Sequence, residues 1–518
     1  MFMLSFEGFV DKESFVRVAD AFVDAIDMKS FGFTNAGYKE EGRPAFHPAA
    51  LMKLYLYGYR HGIRSSRKLQ REAQTNLEAM WLLKGLHPHY KTIANFRKDN
   101  SKAFREVFRK FVLLLRDWEL IEGNTVAIDS FKIRASNSLK NNFNDKKLQR
   151  HIQYIDEQIE QYQAQLDACD RQEDKEKLEQ KLQEREQQKQ QYQEIQQELE
   201  ASGEQQISLT DADARAVVLH RNIVNVGYNV QAVSDEKHKL MVAFDTGAVN
   251  DTHALSPMAL ETKELLQIEQ LTVLADKGYH TGKQLQACEK NNITTYVSPK
   301  APSANTDSGY PITMFSYAKQ TDTYICPQGH TMTTNGKWYI HSNSRKGRTD
   351  EHKFKRYLTP ACKVCPVISL CTRSTVNGRA IDRSEYADAV ENNNRRVGNN
   401  PDYYRKRQQI TEHMFGTMKR QLGFTYTLVR GKEKVLGEVG LVFMVYNLVR
   451  CVSILRVPEL INALFRGVYA FFNEKCGLFR DYLSSFTFAD SKIRVKMNYA
   501  VMVLFCFAEI QFSYLYCL

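Results

Sequence analysis

The chain has 518 residues and a mass of 59.9 kDa, length enough for roughly three domains at about 150–200 residues each. Hydrophobic residues at 43% and charged residues at 25% exclude wholesale disorder and a fibrous chain. Lys and Arg number 71 against 60 Asp and Glu, for a net charge of +11. Between Arg43 and Arg116 sixteen basic residues meet four acidic ones, so this segment carries the whole surplus and suits a polyanion such as nucleic acid.

Met1 to Val10 has no basic stretch followed by a long apolar run, so no secretory leader is expected. Ten cysteines are too few for a disulfide scaffold and are expected to stay reduced, in a cytoplasmic protein. The apolar run from Tyr499 to Ala508 is ended by Glu509 and Gln511, short of the about 20 residues that span a bilayer. It reads as a buried or oligomer-facing element, and no membrane partner is expected.

Residues 1–118 read as a helical domain. Apolar residues recur at helical spacing in Leu51, Leu54, Tyr55 and Tyr59, and again in Phe104, Val107, Phe108, Val112 and Leu115. Ser66 is expected to cap a helix from Arg67 to about Met80, Pro88 to break the chain, and a second basic helix to run through Thr92, Asn95, Arg97 and Lys98. Two short basic helices around a turn suit a DNA reader of the helix-turn-helix kind, with Arg67, Lys68, Arg97 and Lys98 toward phosphate. The plainer alternative is a solvated basic face.

At Thr125 a β-branched run begins and ends in an acid, Asp129, which predicts a strand. Between Lys146 and Glu200 there are sixteen Gln and neither Gly nor Pro, and Leu148, Ile152, Ile155, Ile159, Tyr162 and Leu166 follow the spacing of a coiled-coil seam. The polar run Asp170 to Lys177 interrupts it, so an antiparallel helical hairpin is expected as an insertion over 140–206. Val226–Val233 and Lys239–Asp245 read as a strand hairpin, and Leu271 to Asp276 as another strand ending in an acid. A Gly/Pro/Ser/Asn-rich stretch from Pro299 to Pro311 opens a cysteine-rich insertion over 300–390. Tyr403 to Arg420 reads as a basic helix and Gly437 to Leu455 as a long apolar one.

Asp129 and Asp276 end strands, and Glu412 sits on the basic helix. Three such carboxylates make a hard, oxygen-rich site for Mg²⁺ or Mn²⁺, the ions that support in-line phosphoryl displacement. Taken singly, a strand-end Asp is more often a turn former, and a helix Glu is usually solvated. In the insertion, Cys326, Cys362, Cys365 and Cys371 offer a tetrahedral Zn²⁺ site, with His330 as a substitute ligand; the bland reading is ordinary reduced thiols.

Several motifs in this order resemble the DDE transposases of bacterial insertion sequences, in the group called insertion sequence eleven-eighty-two. They are His47-Pro through Ser65-Ser-Arg67, Thr92-Ile-Ala-Asn-Phe-Arg97, Ile128-Asp129-Ser-Phe-Lys-Ile-Arg-Ala-Ser136, Asp211-Ala-Asp-Ala-Arg215, Gly227-Tyr-Asn-Val-Gln231, Ala275-Asp276-Lys-Gly-Tyr279 and Glu412-His-Met-Phe-Gly-Thr-Met-Lys419. The resemblance implies an α/β, ribonuclease-H-like catalytic domain over 119–455, a mixed sheet with helices on its faces, followed by an apolar extension over 456–518. It implies that Asp129, Asp276 and Glu412 bind two divalent metals, that water nicks the element's end, and that the freed 3′-hydroxyl attacks target DNA. The implied partners are the terminal inverted repeats, target DNA and a second copy of the chain in a synaptic dimer. Lys419 matches a family lysine seven residues after the Glu, placed at the end phosphate. The family's arginine position is Gln408 here, which leaves Arg407 or Arg405 for that contact. The alternative function is an inactive DNA-binding regulator or a remnant of a mobile element.

Overall fold

The computed structural model describes residues 6–37, 44–169, 171–220, 223–247, 249–300, 310–341, 352–372, 374 and 378–465. The Tyr499–Ala508 run, most of the 456–518 extension and the 301–309 part of the irregular stretch lie outside them.

Six helices come first: α1 (Phe15–Asp24), α2 (Pro48–Arg60), α3 (Ser66–Thr75), α4 (Leu77–Leu82), α5 (Tyr90–Asp99) and α6 (Ser101–Asp117). The helix expected from Arg67 to Met80 is two helices, because Asn76 takes an extended conformation and its side chain caps α4 through the amides of Glu78 and Ala79. The α3 and α5 helices pack on one another with α4 between them in sequence, so this is not a simple two-helix turn.

The chain then enters a mixed sheet with β1 (Thr125–Arg134) and continues through β2 (Asn142–Phe143), the long helices α7 (Asp145–Asp167) and α8 (Gln172–Ser202), and β3 (Ile207–Ser208). Next come β4 (Arg215–His220), β5 (Ile223–Asp235), β6 (Met241–Thr246), α9 (Leu255–Leu266), β7 (Leu271–Ala275), α10 (Gly282–Lys290) and β8 (Ile293–Val297). The strand order is β4-β5-β1-β7-β8 with β6 also on β5; β5 runs antiparallel to β1, β4 and β6, whereas β1, β7 and β8 are parallel. The buried runs Val126-Ala-Ile128 and Val273-Leu-Ala275 explain the placement: strands covered on both faces read as continuous apolar stretches.

The α7–α8 hairpin is antiparallel, since Asp145 meets Gln196 and Asp156 meets Lys189. The coiled-coil expectation is not supported. Of the predicted seam only Leu148 and Ile155 are buried, and α8 buries Leu199 alone, because its Gln and Glu are spread around the whole helix. Both Leu148 and Leu199 sit at the base, packed with Phe143.

A second sheet follows: β9 (Ser316–Ala318), β10 (Thr323–Ile325), β11 (Thr331–Thr334), β12 (Tyr339–His341), β13 (His352–Leu358), the short α11 (Ile368–Cys371) and β14 (Ile381–Ser384). Its own small core contains Phe315, Tyr324, Met332, Tyr357 and Ile381. The described chain closes with α12 (Ala387–Asn399), α13 (Pro401–Arg420) and α14 (Lys432–Leu455).

Helix α14 is long and apolar enough to cross a membrane, yet 83% of its apolar window is buried inside the fold. It packs on α6 and α2 and against β6. Close approach to α6 requires Gly437, where a Cβ would come within 2.6 Å of Ser101 Cα. Asn447 Oδ1 accepts from the Met241 amide at 2.8 Å and its Nδ2 donates to the Met241 carbonyl at 2.9 Å, so a helix side chain closes part of the β6 edge.

At the centre of this packing Glu438 is fully buried. Its carboxylate accepts from Arg64 Nη2 at 2.8 Å, the Tyr59 hydroxyl at 3.1 Å and the Leu428 amide at 2.9 Å, with Arg97 Nη1 at 3.8 Å. Burial alone would raise its pKa, but the Arg97 and Arg64 guanidiniums outweigh that and hold the carboxyl below its usual range. Burial pushes the Tyr59 phenol up to about 12, which keeps it a neutral donor. A depressed carboxylate stabilises the fold above the ordinary carboxylate range, and that contribution is lost as pH falls below it.

Glu438→Ala leaves two buried guanidiniums without their anion and should cost about 3–5 kcal/mol in urea unfolding. A loss under about 1 kcal/mol would show that the cluster does not hold the helices together.

Candidate nucleic-acid processing site

Asp129 and Asp276 meet because β1 and β7 are parallel neighbours. Ile128 pairs with Ala275 in the last rung that β1 and β7 share, so Asp129 and Asp276 follow it side by side. Asp276 comes directly after β7, whereas Asp129 lies in the middle of β1, which continues to Arg134 along β5 and does not end at the acid as the sequence suggested. Asp276 caps the following turn, its Oδ1 accepting from the Gly278 amide at 2.7 Å.

Helix α13 covers Asp129. Arg407 Nη1 donates to Asp129 Oδ2 at 3.0 Å, and the Ser130 amide donates to Oδ1 at 2.8 Å. Burial raises the Asp129 pKa and the Asp276 charge adds to that, while the Ser130 amide, Arg407 and the Thr411 hydroxyl pull against it. Arg407, Ile410 and Thr411 face the sheet at helical spacing, and Phe415 continues that face onto Phe131, ring centroids 5.0 Å apart.

Glu412 is the next residue along α13 and points away from that face. It is exposed and accepts from Gln408 Nε2 at 2.7 Å. The structure thus brings Asp129 and Asp276 to neighbouring positions on β1 and after β7, and leaves Glu412 exposed on α13. Among the described residues, no three acids, histidines or cysteines stand close enough to hold one metal ion as placed.

A further acid lies beside Asp276. Asp251, in the loop before α9, accepts through Oδ1 from Asn229 Nδ2 at 2.9 Å and Gln231 Nε2 at 2.7 Å. A Cβ on Gly278 would lie 2.9 Å from Asp276 Oδ1 and 3.3 Å from Asp251 Oδ2, so the two carboxylates approach each other beside this glycine. The Tyr279 hydroxyl donates to Gln231 Oε1. Asn229, Gln231 and Tyr279 belong to motifs visible in the sequence, but Asp251 carries no local signal beyond a polar loop.

The basic residues divide. Arg67 and Lys68 are exposed on α3, with the Arg67 guanidinium 4.8 Å from the Tyr90 ring centre. Lys98 is exposed and 3.4 Å from Asp99. Arg97 corrects the sequence expectation: it is buried, donating to the Arg64 carbonyl at 3.0 Å and facing Glu438, so it is part of the fold and not of a DNA surface. Arg407 is engaged with Asp129, Arg405 is exposed and paired with Asp402, and Lys419 is exposed near the end of α13. Lys91 on α5 and Arg71 on α3 join the exposed basic surface.

Cys326, Cys362, Cys365 and Cys371 line one cavity of about 20 Å³ together with His330, room for a single atom-sized occupant. Cys326 opens a tight turn in which its amide donates to the His330 carbonyl at 2.9 Å and Gly329 takes a φ of 80°. Gly378 is needed opposite, since a Cβ there would fall 2.5 Å from Cys362 Cβ. Burial raises the Cys371 thiol pKa against the pull of Arg379, and Cys362, Cys326 and Cys365 add to the rise.

Two family models match the chain. One, described as Transposase DDE domain, covers residues 325–452, and the other, Transposase domain (DUF772), covers residues 4–99. The first includes Glu412 and the four cysteines but not the strands of Asp129 and Asp276. No curated protein matches the chain. Among solved structures, a piggyBac transposase synaptic complex with hairpin DNA aligns over 93% of this chain and 86% of that one, at 9% identity and a TM-score of 0.32, too loose a likeness to bear on the fold. The chain is thus similar to transposases over two separate stretches, one at each end of the folded region.

Proposed function

We propose that the chain cuts and joins DNA at the ends of an insertion sequence, with Asp129, Asp276 and Glu412 as its acidic centre. The observation that carries this reading is the placement of Asp129 and Asp276 just past the last rung shared by parallel β1 and β7, under a helix that bears Glu412. The strand order supports a ribonuclease-H-like core, with β6, β5 and β1 antiparallel and β1, β7 and β8 parallel. The insertions then fall between β1 and β4 and between β8 and α12, on a folded scaffold extending from 119 to 455.

Two half-buried carboxylates on one rung repel each other, and oxygen donors alone suit Mg²⁺ or Mn²⁺. When bound there, such ions supply an activated nucleophile and neutralise charge on the leaving oxygen. The protein's own part is positional. Strands β1 and β7 fix the two aspartates, Gly278 keeps the space beside them open, and Glu412 turns inward from the rim of α13. Arg407, released from Asp129, then faces the scissile phosphate, with Lys419 further along the helix on the flanking strand and Arg405 on its outer face. Arg67, Lys68 and Lys98 bind the element's end, and a second copy of the chain completes the synaptic pair. We assign the chain to the eleven-eighty-two group on the motifs quoted above, and to the bacterial cytoplasm on the same grounds. The four cysteines hold one structural Zn²⁺, which stabilises a module whose core is too small to stand alone.

Asp276→Asn and Glu412→Gln should abolish Mg²⁺-dependent nicking of a supercoiled plasmid carrying the element's ends while end binding persists. Nicking at more than about a tenth of the wild-type rate in either variant removes that residue from the centre.

Affinity for DNA should fall steeply with salt. Alanine at Arg67, Lys68 and Lys98 should each flatten the slope of log affinity against log salt, by about 0.9 for every phosphate left without its cation. Arg97→Ala should instead lower thermal stability. An unchanged slope in the triple variant places the end-binding surface elsewhere.

Protein purified without chelator should carry about one equivalent of zinc by elemental analysis, and Cys365→Ser should lower both zinc content and melting temperature. Four freely titrating thiols without zinc would leave these residues as plain reduced cysteines.

A further inference from the structure

We propose that the groove between the root of the α7–α8 hairpin and the far end of β1 binds a strand of DNA through Arg134 and Arg150. The inference rests on the reading of the chain as a protein that cuts and joins DNA. It adds a contact surface to that reading, apart from both the acids and the basic amino-terminal helices.

Two open clefts make the groove. One, of about 710 Å³, lies against the first turns of α7 and is lined by Lys147, Arg150 and His151 together with Gln205 and Val224. The other, of about 560 Å³, lies where β1 ends and is lined by Arg134, Asn137, Asn225 and Tyr426. Leu139 borders both, and the chain neighbours Val224 and Asn225 border one each, so the two clefts run together. The Arg134 amide donates to the Thr425 carbonyl at 3.3 Å and its carbonyl accepts from the Thr427 amide at 2.8 Å, which ties the strand end to the segment of Tyr426. The Arg134 guanidinium stands 5.8 Å from the Tyr426 ring centre.

The charge of the groove points to its occupant. Neither cleft is lined by an Asp or a Glu. The acids next in sequence are engaged elsewhere: Asp145 accepts from Gln149 and Gln196, and Glu204 pairs with Arg215. Lys147 Nζ donates to the carbonyls of Leu139, Lys140 and Asn142 at 2.8, 3.0 and 2.9 Å, so its protons are used while its charge meets no carboxylate. Arg134 and Arg150 are exposed, and no ion pair holds either among the described residues. Burial lowers the His151 pKa, and Lys147 and Arg150 lower it further, the mark of a positive field with no acid against it. An acid-free run of cations suits a polyanion. Two clefts joined end to end exceed one small anion, and the amides of Asn137, Asn225 and Gln205 can both donate and accept toward sugar and base edges. Arg134 ends β1 five residues beyond Asp129, about 17 Å of strand, and alternation turns it to the other side of the sheet. The groove therefore takes a stretch of DNA beyond the phosphate over Asp129, not that phosphate itself.

The test is photocrosslinking in the full-length protein, with p-benzoylphenylalanine in place of Leu139, which is 43% exposed and borders both clefts. This group should crosslink to labelled DNA carrying the element's end, well above the yield of the same group in place of Val364, which is exposed in the cysteine module. Arg134→Ala and Arg150→Ala together should lower that yield and flatten the slope of log affinity against log salt by about 1.8, two phosphates at about 0.9 each. The melting temperature should stay as in the wild type. Crosslinks only to a second copy of the chain, or an unchanged slope in the double variant, overturn the groove as a DNA site. End binding that still depends on Arg67, Lys68 and Lys98 then leaves the wider reading standing. A wild-type protein that binds no DNA overturns that reading itself. If the double variant melts early, Arg150→Glu decides, because Arg150 is exposed on α7: unchanged affinity for the end DNA overturns the proposal.

Discussion

A buried charge in the middle of α14 sets the constraint from which the architecture follows. Glu438 is enclosed by Arg64 and Arg97 from the amino-terminal helices, by Tyr59, and by the Leu428 amide just before its own helix. Removing a carboxylate from water costs several kcal/mol unless it is paired and hydrogen-bonded. The cluster therefore forms only when segments more than 300 residues apart along the chain are assembled together. Arg64 also donates to the Gly423 carbonyl, binding the turn after α13. The basic helical region is thus welded to the last two helices of the folded region, and residues up to 464 form one compact unit.

That weld places α13. The loop between α13 and α14 is held by Arg64 and Glu438, and α14 is clamped to the edge strand β6 through Asn447. Helix α13 then lies across β1 with Arg407 and Thr411 over Asp129 and Phe415 on Phe131. The acids are paired with protein donors: Arg407 and the Ser130 amide for Asp129, the Gly278 amide for Asp276, and Gln408 for Glu412. Each of these contacts is one that a metal ion or a phosphate would compete for. In the function proposed above Arg407 has a double use, as counter-ion to the carboxylate in one state and as a donor free for phosphate in the other.

Two satellites stand apart from the main core. The hairpin's small core lies at its root, where Phe143, Leu148 and Leu199 meet, and beyond it Ile155 is the one further buried residue of α7 and α8 among those described. The cysteine module has a five-residue core rich in tyrosine and aromatic contacts, with Arg383 held over the Tyr317 ring at 3.6 Å. Both are insertions that leave the strand pairing of the central sheet uninterrupted, which is how so much added chain is accommodated.

By itself the sequence determined the strands that carry Asp129 and lead to Asp276, though the first runs on to Arg134 instead of ending at its acid, together with the helix of Glu412, the long buried helix after it, the hairpin and the clustering of cysteines. Each is written in local signals: β-branched runs, helical spacing, turn residues and clustered thiols. It also pointed to the transposases, because several short motifs recur in a fixed order. It misassigned Arg97, since a guanidinium in a basic run looks solvent-bound until the partner Glu438, distant in sequence, is seen beside it. It overstated the coiled coil, because spacing alone does not show whether a partner covers the seam. Only the tertiary structure decided that Asp129 pairs with Arg407, that Asp251 stands beside Asp276, and that Glu412 lies at the rim. Those outcomes depend on strand register and on which helix face meets the sheet, and register and facing are fixed by contacts between residues hundreds of positions apart.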